Sequence, residues 1–169
     1  MIKIINNFFS VYSRDYYLFA KQLTFHEPPK YKELMGFDTK HVDFPGRRTL
    51  QLSKESPFFY LNIVNNVYDR FGIKLNDQAG VYCHVRFEND RDDWIHTDKG
   101  KTILVFLSET NLDSGTCFFD NNNNLTDNIS FIHNRAIMFD GNIKHMSKKN
   151  YGSSVEDGRM TINIFIEND

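Results

Sequence analysis

Apolar residues recur along this chain with a helical period at first and then with a period of two, and the change falls near Gly80. Residues 2–9 form a short apolar stretch that reads as a strand or an extended arm. Beyond Ser10 and Ser13, either of which can cap a helix, Tyr16, Phe19, Ala20 and Leu23 are spaced by three and four, the mark of an amphipathic helix. His26-Glu27-Pro28-Pro29 ends it, because a proline ring cannot continue the hydrogen-bond ladder. Residues 28–55 show no clear period and contain the turn signal Phe44-Pro45-Gly46. A second helix is better marked: Ser56 can cap it, Pro57 suits its first turn and Gly72 can end it. Between them Tyr60, Leu61, Val64, Val67, Tyr68 and Phe71 make an apolar stripe, expected to pack on a sheet.

From Gly80 onward the pattern predicts strands. Val81, Cys83, Val85 and Phe87 share one face, and Tyr82, His84 and Arg86 share the other. An acidic stretch, Glu88 to Asp93, reads as a solvated loop. Lys101 to Ser108 is apolar on both faces, as a central strand is. Thr116–Phe119, Ser130–His133 and Arg135–Phe139 are shorter strand candidates, and Asp140-Gly141 signals a tight turn before His145. Last, Met160, Ile162, Ile164 and Ile166 alternate with Arg159, Thr161, Asn163 and Phe165. Two helices followed by six to eight short strands predict an α+β domain with a sandwich or barrel core. No internal repeat or domain boundary interrupts it.

Composition narrows the field. A net charge of -2 gives no electrostatic reason to expect nucleic acid as a partner. No apolar run approaches the ~20 residues of a membrane helix, and the opening, broken by Asn6 and Asn7, is too short for a signal peptide. Cys83 and Cys117 sit in strand-like runs as small core residues, so a reducing, cytoplasmic location is expected.

The candidate chemistry lies in Trp94-Ile95-His96-Thr97-Asp98. His-x-Asp is a common tripeptide and occurs twice, the other copy being His41-Val42-Asp43 beside the Pro-Gly turn, so the surroundings must decide. An oxygen-activating iron(II) centre needs two imidazoles and one carboxylate on one face, with the remaining positions left open. Residues two apart on a strand project to the same side, so His96 and Asp98 can supply two ligands. His145, on a later strand, can supply the third. Arg159 opens the last alternating strand and shares a face with Thr161, an arrangement suited to clamping a carboxylate with help from a hydroxyl. Tyr82, His84 and Arg86 share the polar face of their strand. Arg47, Arg48 and Trp94 are candidate rim residues.

The order His96-x-Asp98, His145, Arg159-x-Thr161 in a strand-rich half resembles the iron(II)- and 2-oxoglutarate-dependent oxygenases, over roughly residues 80–167. The opening resembles small prolyl-hydroxylase-like bacterial and phage members. The resemblance implies a double-stranded β-helix, or jelly roll, at about 80–167, braced by helices at about 1–79, in a single domain spanning 1–169. It implies iron held by His96, Asp98 and His145, and 2-oxoglutarate held by Arg159 and Thr161; Tyr82, from its place on the polar face of its strand, is either a further contact to the cosubstrate or a core tyrosine. The gap from His145 to Arg159 is longer than is usual in the family, and the Gly-, Ser- and Lys-containing loop Ser147 to Asp157 absorbs the excess. The implied activity is hydroxylation by O2 of an unidentified substrate, with a peptide side chain or a free amino acid favoured. Two other readings use the same residues: a cupin-like binding module without catalysis, and a zinc hydrolase, which also needs a general base beside a metal-bound water.

Overall fold

Val81, Cys83 and Val85 are fully buried, and His84 and Arg86, which point to the other face of the same strand, are nearly so. A strand with both faces covered belongs inside a layered structure, and the layers follow from this. The computed structural model describes residues 1–36 and 43–167. Of the alternative pair His41-Val42-Asp43, His41 and Val42 lie outside the described residues.

A six-stranded antiparallel sheet is ordered β1 (Lys3–Ile5), β7 (Ala136–Asp140), β4 (Lys101–Phe106), β9 (Arg159–Ile166), β3 (Gly80–Arg86), β2 (Arg47–Arg48). A smaller sheet is ordered β6 (Leu125–Phe131), β5 (Asn111–Phe119), β8 (Lys144–Ser147). His96 extends the smaller sheet past β8 through paired backbone hydrogen bonds with His145 of 3.0 and 2.9 Å. The two sheets form a jelly roll, and the mixed α+β architecture matches the expectation. No described helix is long and apolar enough to cross a membrane.

One face of the large sheet packs on the helices. Val81, Cys83, Ile103, Val105, Ile162 and Ile164 meet Phe59, Ile63 and Val67 of α4 (Pro57–Phe71), with Phe8 and Phe9 sealing the end. The other face meets the small sheet through Leu104, Phe106, Phe118, Phe131, Ile137 and Phe139. Each large side chain buried in these layers stabilises the fold by about 1.5–3 kcal/mol. The second core fills only part of the space between the sheets, and the rest is a polar cavity.

Several helical expectations need correction. The buried line of α4 is Phe59, Ile63 and Val67, whereas Leu61 and Tyr68 are 56% and 59% exposed. At about 100° per residue these two fall on the far side of the helix, while Tyr60, Val64 and Phe71 flank the true contact line. Pro28-Pro29 does not only end a segment: it opens α2 (Pro28–Met35), where the missing proline N–H groups cost nothing, and Gly36 at φ 66° closes it. Only Tyr31 of that helix is buried, which is why no period shows. A short α3 (Leu52–Glu55) lies in the same stretch. None of the three candidate serines caps with its side chain: the N-cap of α1 (Ser13–Ala20) is Tyr12, not Ser10 or Ser13. Ser56 is at the N-cap of α4 without a side-chain bond, and Ser13 is the first residue of α1, its hydroxyl 3.0 Å from Nε2 of His133.

Candidate metal centre and its cavity

His96 and His145 face each other across the backbone bridge, and each ring is oriented by its own strand. Nδ1 of His96 lies 2.8 Å from the Trp94 carbonyl, and Nδ1 of His145 lies 2.8 Å from the Ile143 carbonyl. A carbonyl only accepts, so each Nδ1 carries the proton, and in the neutral ring each Nε2 presents a bare lone pair. Asp98 closes the group, its Oδ2 3.4 Å and Oδ1 4.0 Å from Nε2 of His145 and His96 respectively. One ligand atom from each of the three residues lies within 4.8 Å of the others. Three electron-pair donors converging in this way repel one another unless a cation sits among them. Two imidazoles and a carboxylate on one side suit a borderline metal that keeps open positions.

Neighbouring groups fix Asp98. Thr102 donates to its Oδ2 at 2.8 Å, and the Asp98 amide donates to the Gly141 carbonyl at 2.7 Å. A Cβ on Gly141 would meet the Asp98 carbonyl oxygen at 2.8 Å, so the tight turn after β7 needs a glycine to approach this closely. Burial pushes the Asp98 carboxyl up, but His145, which can donate to it and bear charge only when its ring takes a second proton in place of a metal, and then Thr102 bring it below the ordinary range. Phe139 packs edge-on against His145 at 4.6 Å and keeps its inner side dry.

The centre opens into a cavity of ≈ 400 Å³, within the range of small-molecule sites. Arg159 lies in its wall, 3% exposed. Its Nε donates to Ser114 Oγ at 3.2 Å and its Nη2 to the Gly115 carbonyl at 3.0 Å, beside a register shift in β5. No carboxylate among the described residues pairs with it. Burial, and next the nearby Arg86, push its pKa down to about 9, so it is still a cation at neutral pH. Thr161 shares the cavity wall and donates to Asn163 Oδ1 at 2.6 Å.

His96, Asp98, His145, Arg159 and Thr161 are thus brought to one cavity. Tyr82 is not. It does not line the cavity but packs behind it, 6.3 Å from the ring of Tyr31 and 6.4 Å from that of Phe165. His84 and Arg86 line the wall and do not face bulk water. His84 Nε2 is 2.6 Å from the Pro45 carbonyl, and burial, then the charges of Arg86 and Arg48, hold its pKa well below the ordinary histidine value. Trp94 stands at the mouth, 41% exposed, with Arg91 over its ring at 4.9 Å.

The acidic segment Glu88–Asp93 is only partly a solvated loop. Asp93 turns inward with its side chain 3% exposed, accepting from Arg86 at 3.1 Å and from the Ser147 amide at 2.8 Å. It ties β3 to β8 directly behind the histidines. Asp90 accepts from the Phe87 amide and from Arg47. Nothing in the spacing separates these two aspartates from Asp92, so sequence reasoning missed them.

Neither a protein-family model nor a curated protein sequence matches the chain. Solved structures do. HygX from Streptomyces hygroscopicus, with nickel, 2-oxoglutarate and hygromycin B bound, aligns with a TM-score of 0.65, covering 96% of this chain and 81% of its own, at 13% identity. SnoK, a non-heme α-ketoglutarate-dependent carbocyclase from nogalamycin biosynthesis, aligns with a TM-score of 0.62, covering 99% and 80% at 9% identity. The chain has the fold of the 2-oxoglutarate-dependent oxygenases. A Pseudomonas putida prolyl-4-hydroxylase also aligns, with a TM-score of 0.57 and 8% identity over 99% of this chain and 93% of its own. At such identities the likeness extends to the fold alone, and any statement about chemistry rests on the residues in the cavity.

Proposed function

We propose that this chain is an iron(II)- and 2-oxoglutarate-dependent oxygenase that hydroxylates a small substrate, an amino acid or a peptide side chain. The reading is carried by one juxtaposition: three convergent lone-pair donors and a buried arginine with no carboxylate partner among the described residues share one cavity. His96, Asp98 and His145 would hold the metal, and Arg159 would pair with the far carboxylate of 2-oxoglutarate, with Thr161 on the same wall. Together the bound groups supply oxidation of a substrate C–H bond by O2, coupled to decarboxylation of 2-oxoglutarate to succinate and carbon dioxide.

The protein's own part is positioning. The Trp94 and Ile143 carbonyls hold the imidazole tautomers, Thr102 and Gly141 hold the carboxylate, and Phe139 and Leu104 keep water from the inner walls. A binding module has no use for a buried cation without a partner. A zinc hydrolase needs a free general base, but of the other carboxylates among the described cavity residues Asp93 is tied to Arg86 and Ser147, and Asp43 pairs with Arg91 at 3.0 Å. The buried, unpaired thiols of Cys83 and Cys117 suit a reducing, cytoplasmic setting, and we read residues 1–169 as a single domain.

Anaerobic titration with iron(II) and then 2-oxoglutarate tests the assignment. We expect the visible charge-transfer absorption of a chelated 2-oxoacid in the wild type, its loss in His96→Ala, and a requirement for much more 2-oxoglutarate in Arg159→Ala. Folded, iron-loaded wild-type protein that develops no band would defeat the proposal.

A further inference from the structure

Arg47 and Arg48 are adjacent on β2, yet the fold treats them in opposite ways. Arg47 pairs with Glu27 at 3.0 Å and with Asp90 at 3.1 Å, outside the main cavity. Arg48 faces the cavity and has no carboxylate partner among the described residues. Four aromatic rings surround its guanidinium, with centroids at 4.2 Å for Phe44, 5.3 Å for Tyr82, 5.9 Å for Phe165 and 6.0 Å for Tyr31. Its Nε is buried without a hydrogen-bond partner. The other two such atoms among the described residues, Arg86 Nε and Thr116 Oγ1, also belong to residues of the cavity wall. Orphaned polar atoms gathered around one cavity are what a missing ligand leaves behind.

Register places Arg48 on β2, the edge strand of the large sheet, in line with that wall. It pairs with His84, which pairs with Thr161, so the three share a row across β2, β3 and β9, while Arg86 and Arg159 form a neighbouring row. The Arg48 backbone is also bonded on its outer side, its N–H donating to the His26 carbonyl at 3.0 Å and its carbonyl accepting from the His26 amide at 2.9 Å. Bonded to His26 on one side, with the next residue, Thr49, bonded to Cys83 of β3 on the other, the arginine is preorganised. The cavity's charges then leave it as the remainder. Asp93 neutralises Arg86, Asp43 pairs with Arg91, Asp98 faces the metal position, and Arg159 is matched by the far carboxylate of the cosubstrate under the reading above. Among the described residues one positive charge is left over, and a single negative charge would match it.

We infer that Arg48 is a substrate-binding residue and that the substrate carries a free carboxylate. This rests on the oxygenase reading and sharpens it: the acceptor is a free amino acid or a peptide C-terminus, not an internal peptide residue. Phe44, Leu104, Phe165 and Trp94 offer apolar walls for the body of such a molecule, and the guanidinium fixes its acidic end.

The test titrates the iron(II)- and 2-oxoglutarate-loaded protein anaerobically, by calorimetry and by the response of the charge-transfer band. The probes are the free L-amino acids, their carboxamides, and tripeptides ending in the same residues with free or amidated C-termini. We expect at least one free acid to bind about tenfold or more tightly than its amide. Preference for the single amino acid identifies that source, and preference for the free tripeptide identifies the other. Arg48→Met, which keeps the apolar stem, should abolish the acid-over-amide preference, and Arg48→Lys should retain part of it. Both variants should bind 2-oxoglutarate within about twofold of wild type, whereas Arg159→Met should not. Equal binding of acid and amide by wild type, absence of binding by every free acid, or an unchanged preference in Arg48→Met overturns the inference while the 2-oxoglutarate band stays intact. Loss of 2-oxoglutarate affinity in Arg48→Met but not in Arg159→Met would make Arg48 the cosubstrate anchor and overturn it as well. A wild type without any 2-oxoglutarate band would instead defeat the oxygenase reading, and this inference with it.

Discussion

Asp93 has more influence than its place in an acidic run suggests. Burial alone would push its carboxyl up, but Arg86, the Ser147 amide and His96 outweigh burial and hold it below the ordinary aspartate range. A folded-state pKa below the unfolded value near ~3.9 means that the interaction stabilises the fold fully above that value. The contribution fades as pH falls through the lower, folded-state pKa. Asp93→Asn should therefore cost about 3–5 kcal/mol at pH 7, because it leaves Arg86 buried without its counter-charge. Urea unfolding should show the gap between variant and wild type closing as pH drops below about 4. Equal stability at pH 7 would mean that the pair contributes nothing. The same residue marks a limit of sequence reading. His96, Asp98 and His145 stand out because ligand chemistry demands particular residue types, but a supporting aspartate is recognisable only once Arg86 and Ser147 have been folded onto it.

At the scale of elements, strands were easier to read than helices. β3 and β9 alternate with a period of two that admits one register, β4 is apolar on both faces as a central strand is, and His84 and Arg86 of β3 with Arg159, Thr161 and Asn163 of β9 turn out to form the cavity wall. A helix is more permissive. α4 carries apolar residues around more than half its circumference, so its sequence is compatible with several buried faces, and only the sheet beneath selects Phe59, Ile63 and Val67. α2 buries only Tyr31 and so has no stripe to detect. The choice of face is testable by stability. Ile63→Ala should cost about 2–5 kcal/mol, whereas Leu61→Ala should stay within about 0.5 kcal/mol of wild type, both measured by urea denaturation. Comparable losses at the two positions would restore the broader stripe. The extent of β5 and β6 was also hidden, since their outer halves are exposed and bulged and so lack the alternation of a covered strand.

For the whole molecule, the cavity is where the two sheets are least joined by apolar packing. His96 and His145 belong to the small sheet, whereas Asp98 is held by Thr102 of β4 and by the Gly141 turn at the end of β7. Arg159 belongs to the large sheet and reaches across to Ser114 and Gly115 of the small one. A metal ion bound by the three ligands would therefore link the sheets, and a dicarboxylate spanning metal and Arg159 would add a second link. Because such ligands bind only the folded protein, each should raise stability by mass action. At a hundredfold excess over its Kd the gain is about 2.7 kcal/mol, which for a chain of this size is roughly 5–11 °C in Tm. Nickel(II), which is not oxidised in air, is the practical probe, followed by nickel(II) with 2-oxoglutarate, in thermal melts. Asp98→Ala should lose most of the metal increment, and Arg159→Ala should keep it but lose most of the increment from 2-oxoglutarate. EDTA should return wild type to its metal-free Tm. A nickel increment that survives in Asp98→Ala would place the metal elsewhere on the chain. A 2-oxoglutarate increment that survives in Arg159→Ala would mean that the buried guanidinium serves the fold by bracing β5 against β9, and does not hold the cosubstrate.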